Sequence, residues 1–127
     1  MEPATRDIVV STPAGSDYVH VLRAVVASLA ARLDFPYDAI EDLKLAVDEA
    51  CGHLLHAAPG SRSLVVRISA DADELAVAVT AEGDPSPSSA GGLEGSLAWE
   101  ILKALTEHPS FELSTEGPTI SFTLRPR

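Results

Sequence analysis

Apolar positions along the chain change their spacing several times, and each change marks an element. Residues 6–11, "RDIVVS", predict a short first strand, broken by "STPAGSD" with Ser16 or Asp17 as the expected helix cap. Val19, Leu22, Val26, Leu29 and Leu33 then recur at helical spacing, so 17–33 reads as an amphipathic helix. "DFPYD" interrupts it, because Pro36 disfavours helical geometry at Phe35 while suiting the start of the next helix. That second helix covers 37–58. Ile40, Leu43, Val47, Ala50, Cys51, Leu54 and Ala58 fall on one stripe, which predicts its buried side.

After "APGSRS" the runs "LVVRISA" and "ELAVAVTA" flank "DAD", which predicts strands at 64–70 and 74–81 joined by a tight turn. Residues 82–95, "EGDPSPSSAGGLEG", are rich in Gly, Pro and Ser and read as a lid or binding loop. "SLAWEILKALTE" predicts a third helix at 96–107, with Leu97, Ile101, Leu102 and Leu105 facing inward. Strands at 110–115 and 119–125 around "EGP" complete the chain. Helices and hairpins in this order predict an α+β fold, a two-layer sandwich whose three helices cover one face of a mixed, mainly antiparallel sheet.

Composition narrows the function classes. A chain of 127 residues that is 46% hydrophobic suits one domain, taken here as 1–127, with its own core. The formal charge of −10 argues against direct binding to nucleic acid, whose phosphates it repels, and is compatible with a basic protein partner. The single cysteine, Cys51, excludes an intrachain disulfide and fits a reducing compartment. Its place in the apolar stripe predicts a small buried hydrophobe rather than a reactive thiol. "MEPATRDIVVSTPAG" has no basic start followed by an apolar run, and no stretch reaches the roughly 18 apolar residues that span a bilayer. The expectation is a cytoplasmic protein without a membrane segment.

Candidate chemistry centres on residues 43–58, "LKLAVDEACGHLLHAA". Glu49 and His53 are four positions apart, on one helix face away from the buried stripe. The pair allows three readings: an exposed pair that steadies the helix, two ligands of a metal site, or part of an active site. The other histidines, His20, His56 and His108, are scattered and build no metal-binding spacing with it.

The segment "EDLKLAVDEACGHLLHAA" resembles the nucleotide-binding helix of the bacterial anti-sigma factor/serine-protein kinase family. That family shares the histidine-kinase and Hsp90 type of ATPase fold, and "LAVDEAC" matches its pattern letter for letter. The resemblance implies that Glu49 is the general base that activates a partner serine for attack on the γ-phosphate of ATP. It implies a Mg²⁺-binding asparagine at position 53, where this chain has His53, a poor ligand for a hard, oxygen-seeking ion.

Two further nucleotide motifs of the family are altered. The strand-end motif Asp-x-Gly-x-Gly aligns with "AEGDP": Ala81 replaces the aspartate that receives the adenine amino group, Gly83 is kept, and Pro85 replaces the second glycine. Glu82 is adjacent but points to the other face of a strand. The phosphate loop at the start of the third helix aligns with Gly95, Ser96, Leu97 and Ala98, where Ala98 hinders the close approach a glycine permits. His53, Glu82, Gly83, Gly95, Ser96 and Ala98 are therefore the expected cofactor-binding positions, and the changes predict that ATP and Mg²⁺ bind weakly or not at all.

What the resemblance then leaves is an anti-sigma factor that works by partner switching. It holds an alternative sigma factor away from RNA polymerase and releases it to an antagonist protein. The family also implies a homodimer. Arg23, in "VLRAVV", stands where family members place a partner-contacting arginine, against the alternative of a solvated helix residue. Trp99 is expected to pack in the core rather than at an interface. The rival readings are an active serine kinase using Glu49, and a metal-binding protein using Glu49 and His53.

Overall fold

The computed structural model describes residues 7–71, 73–86 and 95–126. Its elements are β1 (Ile8–Pro13), α1 (Val19–Arg32), α2 (Tyr37–Ala57), β2 (Ser63–Ala70), β3 (Leu75–Glu82), α3 (Leu97–Leu105), β4 (Glu107–Ser114) and β5 (Gly117–Leu124). The strands make one sheet in the order β1-β2-β3-β5-β4, and all the pairings are antiparallel. The fold is α+β.

Alternation in β2 and β3 explains the layers. Leu64, Val66 and Ile68 are buried, and the register sets them opposite Ala81, Val79 and Val77, which are buried too. This apolar face meets Leu22, Val26 and Ala30 of α1, Leu43, Val47, Cys51 and Leu54 of α2, and Leu102 of α3 in one core. Each fully buried leucine contributes about 1.5–3 kcal/mol relative to exposure. The opposite face carries small or polar side chains, among them Ala76, Ala78, Thr80, Thr119 and Ser121, and the Thr80 and Thr119 hydroxyls share a hydrogen bond of 2.7 Å.

Two expectations about the helices need correcting. Neither Ser16 nor Asp17 caps α1: a 3-10 turn at Ser16–Tyr18 precedes the helix, and Tyr18 occupies the cap position with helical dihedrals and no side-chain cap hydrogen bond. Leu97 does not face inward but is 74% exposed, because it is the first residue of α3. Ala98 and Trp99 pack against the core in its place, and the Ser96 hydroxyl caps the helix by accepting from the Trp99 N–H.

The strand β4 begins at Glu107, earlier than its composition suggests. Its register with β5 slips between Glu107 and Ser110, and His108 there has φ of 54°. This is a β-bulge, and Pro109 is tolerated in it because β4 is an edge strand. Of the 82–95 loop, 87–94 lie outside the described residues.

Candidate functional site

The helix α2 positions the central pair. Its apolar stripe is pressed into the core, and Leu45, Glu49 and His53 follow one another on a different face. Leu45 is exposed, while Glu49 and His53 are half-buried. Their carboxylate and imidazole are not bonded to each other, so the reading as a helix-steadying pair has no contact behind it. The His53 ring instead stands edge-on to Phe111 of β4, with ring centroids 6.3 Å apart. Burial, and secondarily the nearby His56, push its imidazole below the ordinary 6.5.

Cys51, two residues before His53, is fully buried. Burial, reinforced by the Asp48 charge, pushes its thiol from 9.0 up to about 12. That is an inert packing cysteine. Among the described residues no three histidine, cysteine, aspartate or glutamate side chains gather where they could hold a metal ion. The metal-binding alternative at Glu49 and His53 is therefore unsupported.

At the end of β3, Ala81 points into the core and is fully buried, whereas Glu82 turns to the other face. Gly117, at the start of β5, lies directly against the Ala81 carbonyl. Gly83 adopts φ of 105° beside Arg62, where an L side chain would be strained. The adjoining turn is bolted down. Asp84 accepts from the Gly60 N–H and the Ser86 N–H, both at 2.8 Å, and the Arg62 N–H donates to the Glu82 carbonyl at 2.7 Å. Gly95 has φ of 85° ahead of the Ser96 cap, and Ala98 is partly buried. The helix α2 packs against both β3 and α3.

At two positions where the resemblance expects nucleotide and Mg²⁺ contacts, the side chains differ from the expected ones. The methyl of Ala81 offers no acceptor to an adenine amino group, and a charge-assisted hydrogen bond of that kind is worth about 1.5–3 kcal/mol. His53 presents a nitrogen where the resemblance expects the oxygen ligand of Mg²⁺. Glu49 keeps its carboxylate, half-buried and without a side-chain partner among the described residues.

Arg23 on α1 is held by Asp48 on α2. One guanidinium nitrogen donates to both carboxylate oxygens, at 3.1 and 2.9 Å, and the two side chains are 36% and 32% exposed. The pair lines a groove of ≈ 510 Å³ with Glu41, Lys44 and the exposed Leu45, and Arg23 and Lys44 also line a second of ≈ 560 Å³ with His20, Ala27 and Ser28. Asp48 was not legible as a partner of Arg23, because the spacing of charges on one helix does not reveal what a second helix brings opposite. The roles of Asp84 and Gly117 were equally hidden; a Gly–Pro pair after a turn was the only signal for Gly117.

Residues 12–124 match the family described as histidine kinase-like ATPase domain, and the chain belongs to that family. Within it the chain is a member of the kind named RsbW. It is 34% identical over 108 residues to serine-protein kinase RsbW of Halalkalibacterium halodurans, covering 80% of this chain and 65% of that protein. To serine-protein kinase RsbW of Bacillus velezensis it is 30% identical over 129 aligned residues, covering 87% and 80%. To anti-sigma-F factor RsbW of Mycobacterium tuberculosis it is 28% identical over 127, covering 96% and 74%. Against other Bacillus kinases of this name the chain spans about half their length. No helix among the described residues is long and apolar enough to cross a membrane.

Proposed function

We propose that this protein is an anti-sigma factor that sequesters an alternative sigma factor and yields it to an antagonist protein, with nucleotide binding weak or lost. The carrying observation is Ala81: the one position that should read adenine is a fully buried methyl, and Glu82 beside it faces away. His53 against Phe111 adds a second obstacle, at the metal. The protein then acts stoichiometrically, by occlusion. The Arg23–Asp48 pair and the grooves beside it supply the docking surface, and the charge of −10 selects a basic region of the partner. We further propose that it works in the cytoplasm, as a homodimer, without touching nucleic acid.

Calorimetry with ATP and ADP, with and without Mg²⁺, tests the nucleotide half of this reading. Identification of the polypeptide that co-purifies from the native cell tests the sigma half. Micromolar nucleotide affinity with phosphate transfer to a serine of a co-purifying antagonist would overturn the proposal. It would favour the second reading, an active serine kinase with Glu49 as general base. Two observations support that rival: a Glu49 carboxylate with no side-chain partner among the described residues, and the name serine-protein kinase carried by several relatives.

A further inference from the structure

We infer that the face of the sheet turned away from the helices binds a small organic monocarboxylate, held between Arg67 of β2 and His108 at the bulge of β4. This goes beyond the proposed function, since neither Arg23 nor the nucleotide positions take part.

The register lays out this face row by row. Arg67 stands beside Ala78, Ala78 beside Ser121, and Ser121 beside Ser110; the next row is Ser69, Ala76, Thr123 and Glu107. These side chains alternate along their strands with the buried Val77 and Phe122, and so point outward. Ala76 and Ala78 are too short to fill the space above the central strands. A cavity of ≈ 190 Å³ opens over them, lined also by Arg67, Ser121, Thr123 and His108.

The bulge brings His108 to this face. Glu107 pairs with Thr123 and Ser110 with Ser121, so His108 and Pro109 together oppose Phe122, whose side chain is in the core. In a regular ladder the single residue opposite Phe122 would share its face. Here Pro109 is half-buried, while His108, at φ of 54°, is exposed and lines the outer cavity. Such a φ is uncommon for a residue other than glycine.

The side chains around the cavity select the ligand. Arg23, Lys44, Lys103 and Arg125 each pair with a carboxylate of this chain. Arg67 pairs with none among the described residues, and its cross-strand neighbours are Val9 and Ala78. His108 likewise has no hydrogen-bond or ion-pair partner among them. The acidic side chains close by are engaged elsewhere: Asp7 accepts from the Ser69 hydroxyl at 2.6 Å, and Glu74 and Glu107 each lie 3.7 Å from Arg125. A guanidinium offers paired N–H groups that match a carboxylate, and an imidazole N–H supplies a further donor. The methyls of Ala76 and Ala78 suit an apolar body. One guanidinium among these acids favours a singly charged anion over a doubly charged one, hence a monocarboxylate over a phosphate.

The test uses the full chain with benzoate as the probe, followed by amide NMR. Expected are saturable shifts at Ala76, Ala78 and Ser121, half-complete at about 1 mM or below. Neutral benzamide should not reproduce them, and inorganic phosphate should bind more weakly. Arg67→Gln, and His108→Gly, which removes the imidazole while tolerating the positive φ, should each weaken benzoate binding at least about fivefold. Ala78→Leu, which fills the cavity, should abolish it. No saturable shift at these amides, benzamide binding as tightly as benzoate, or phosphate binding more tightly overturns the inference. So does unchanged binding in a folded Arg67→Gln variant. Shifts at these amides that grow with protein concentration in the absence of benzoate overturn it in favour of a second copy seated on this face.

Discussion

A single guanidinium nitrogen of Arg23 holds both carboxylate oxygens of Asp48, tying α1 to α2 across the solvent side of the helix pair. Both side chains are about one-third exposed, so solvent screening keeps the pair to at most about 1 kcal/mol of stability. Arg23→Ala should therefore shift the urea midpoint only slightly. If the surface is the docking site, the same variant should lose most of its capture of the co-purifying partner. A large loss of stability with capture unchanged would assign Arg23 to the scaffold instead.

Gly117→Ala should be among the costliest single changes. Its φ of 141° is unfavourable to any L side chain, at about 1–3 kcal/mol, and the added methyl would collide with the Ala81 carbonyl. Urea unfolding should show a loss well above that of Gly52→Ala on α2, where a Cβ meets nothing within 4 Å.

Restoring the missing oxygen acceptors should restore affinity. Ala81→Asp with His53→Asn returns an acceptor for the adenine amino group and an oxygen ligand for Mg²⁺. The regained charge-assisted bond corresponds to a tightening of about tenfold to a hundredfold in calorimetry. An unchanged nucleotide affinity in a folded double variant would place the defect elsewhere.

Cys51 should resist alkylation at pH 8 in the folded protein and react once urea unfolds it. Its raised thiol also sets a pH dependence. Between about 9 and 12 the unfolded chain loses a proton that the folded chain keeps, so stability falls as pH rises through that window. Cys51→Ala should flatten the alkaline side of a plot of urea midpoint against pH.

The His53 imidazole, held below 6.5, works in the opposite direction. As pH falls through 6.5 the unfolded chain takes up a proton that the folded chain refuses, so stability declines on acidification and returns as pH rises. Proton NMR of the His53 ring should give a midpoint below 6.5, and His53→Gln should lessen the acid sensitivity. A midpoint at or above 6.5 would contradict this.

Helices and strands could be read where local periodicity agrees with burial. The stripe from Leu43 to Leu54 and the alternation of Leu64, Val66 and Ile68 are both local patterns that the core then satisfies. What escaped depends on residues far apart in sequence. Leu97 fits the apolar spacing of α3, but where that helix begins relative to the sheet is a tertiary fact, and it leaves the side chain outside. The bulge at His108 and Pro109 is set by pairing with β5, and nothing in "EHPS" announces it. At the candidate site, Glu49, His53 and Ala81 could be singled out from short segments. The contacts that give them meaning, Phe111 against His53 and Gly117 against Ala81, come from strands that follow much later in the chain.

The kink that Glu107 to Ser110 puts into β4 has a consequence for self-assembly. A sheet open along both margins can polymerise head to tail without limit, and an apolar margin such as β1 would be the nucleus of a fibre. With the far margin bent by its bulge among the described residues, a sheet extended at β1 meets a poor template on its other side.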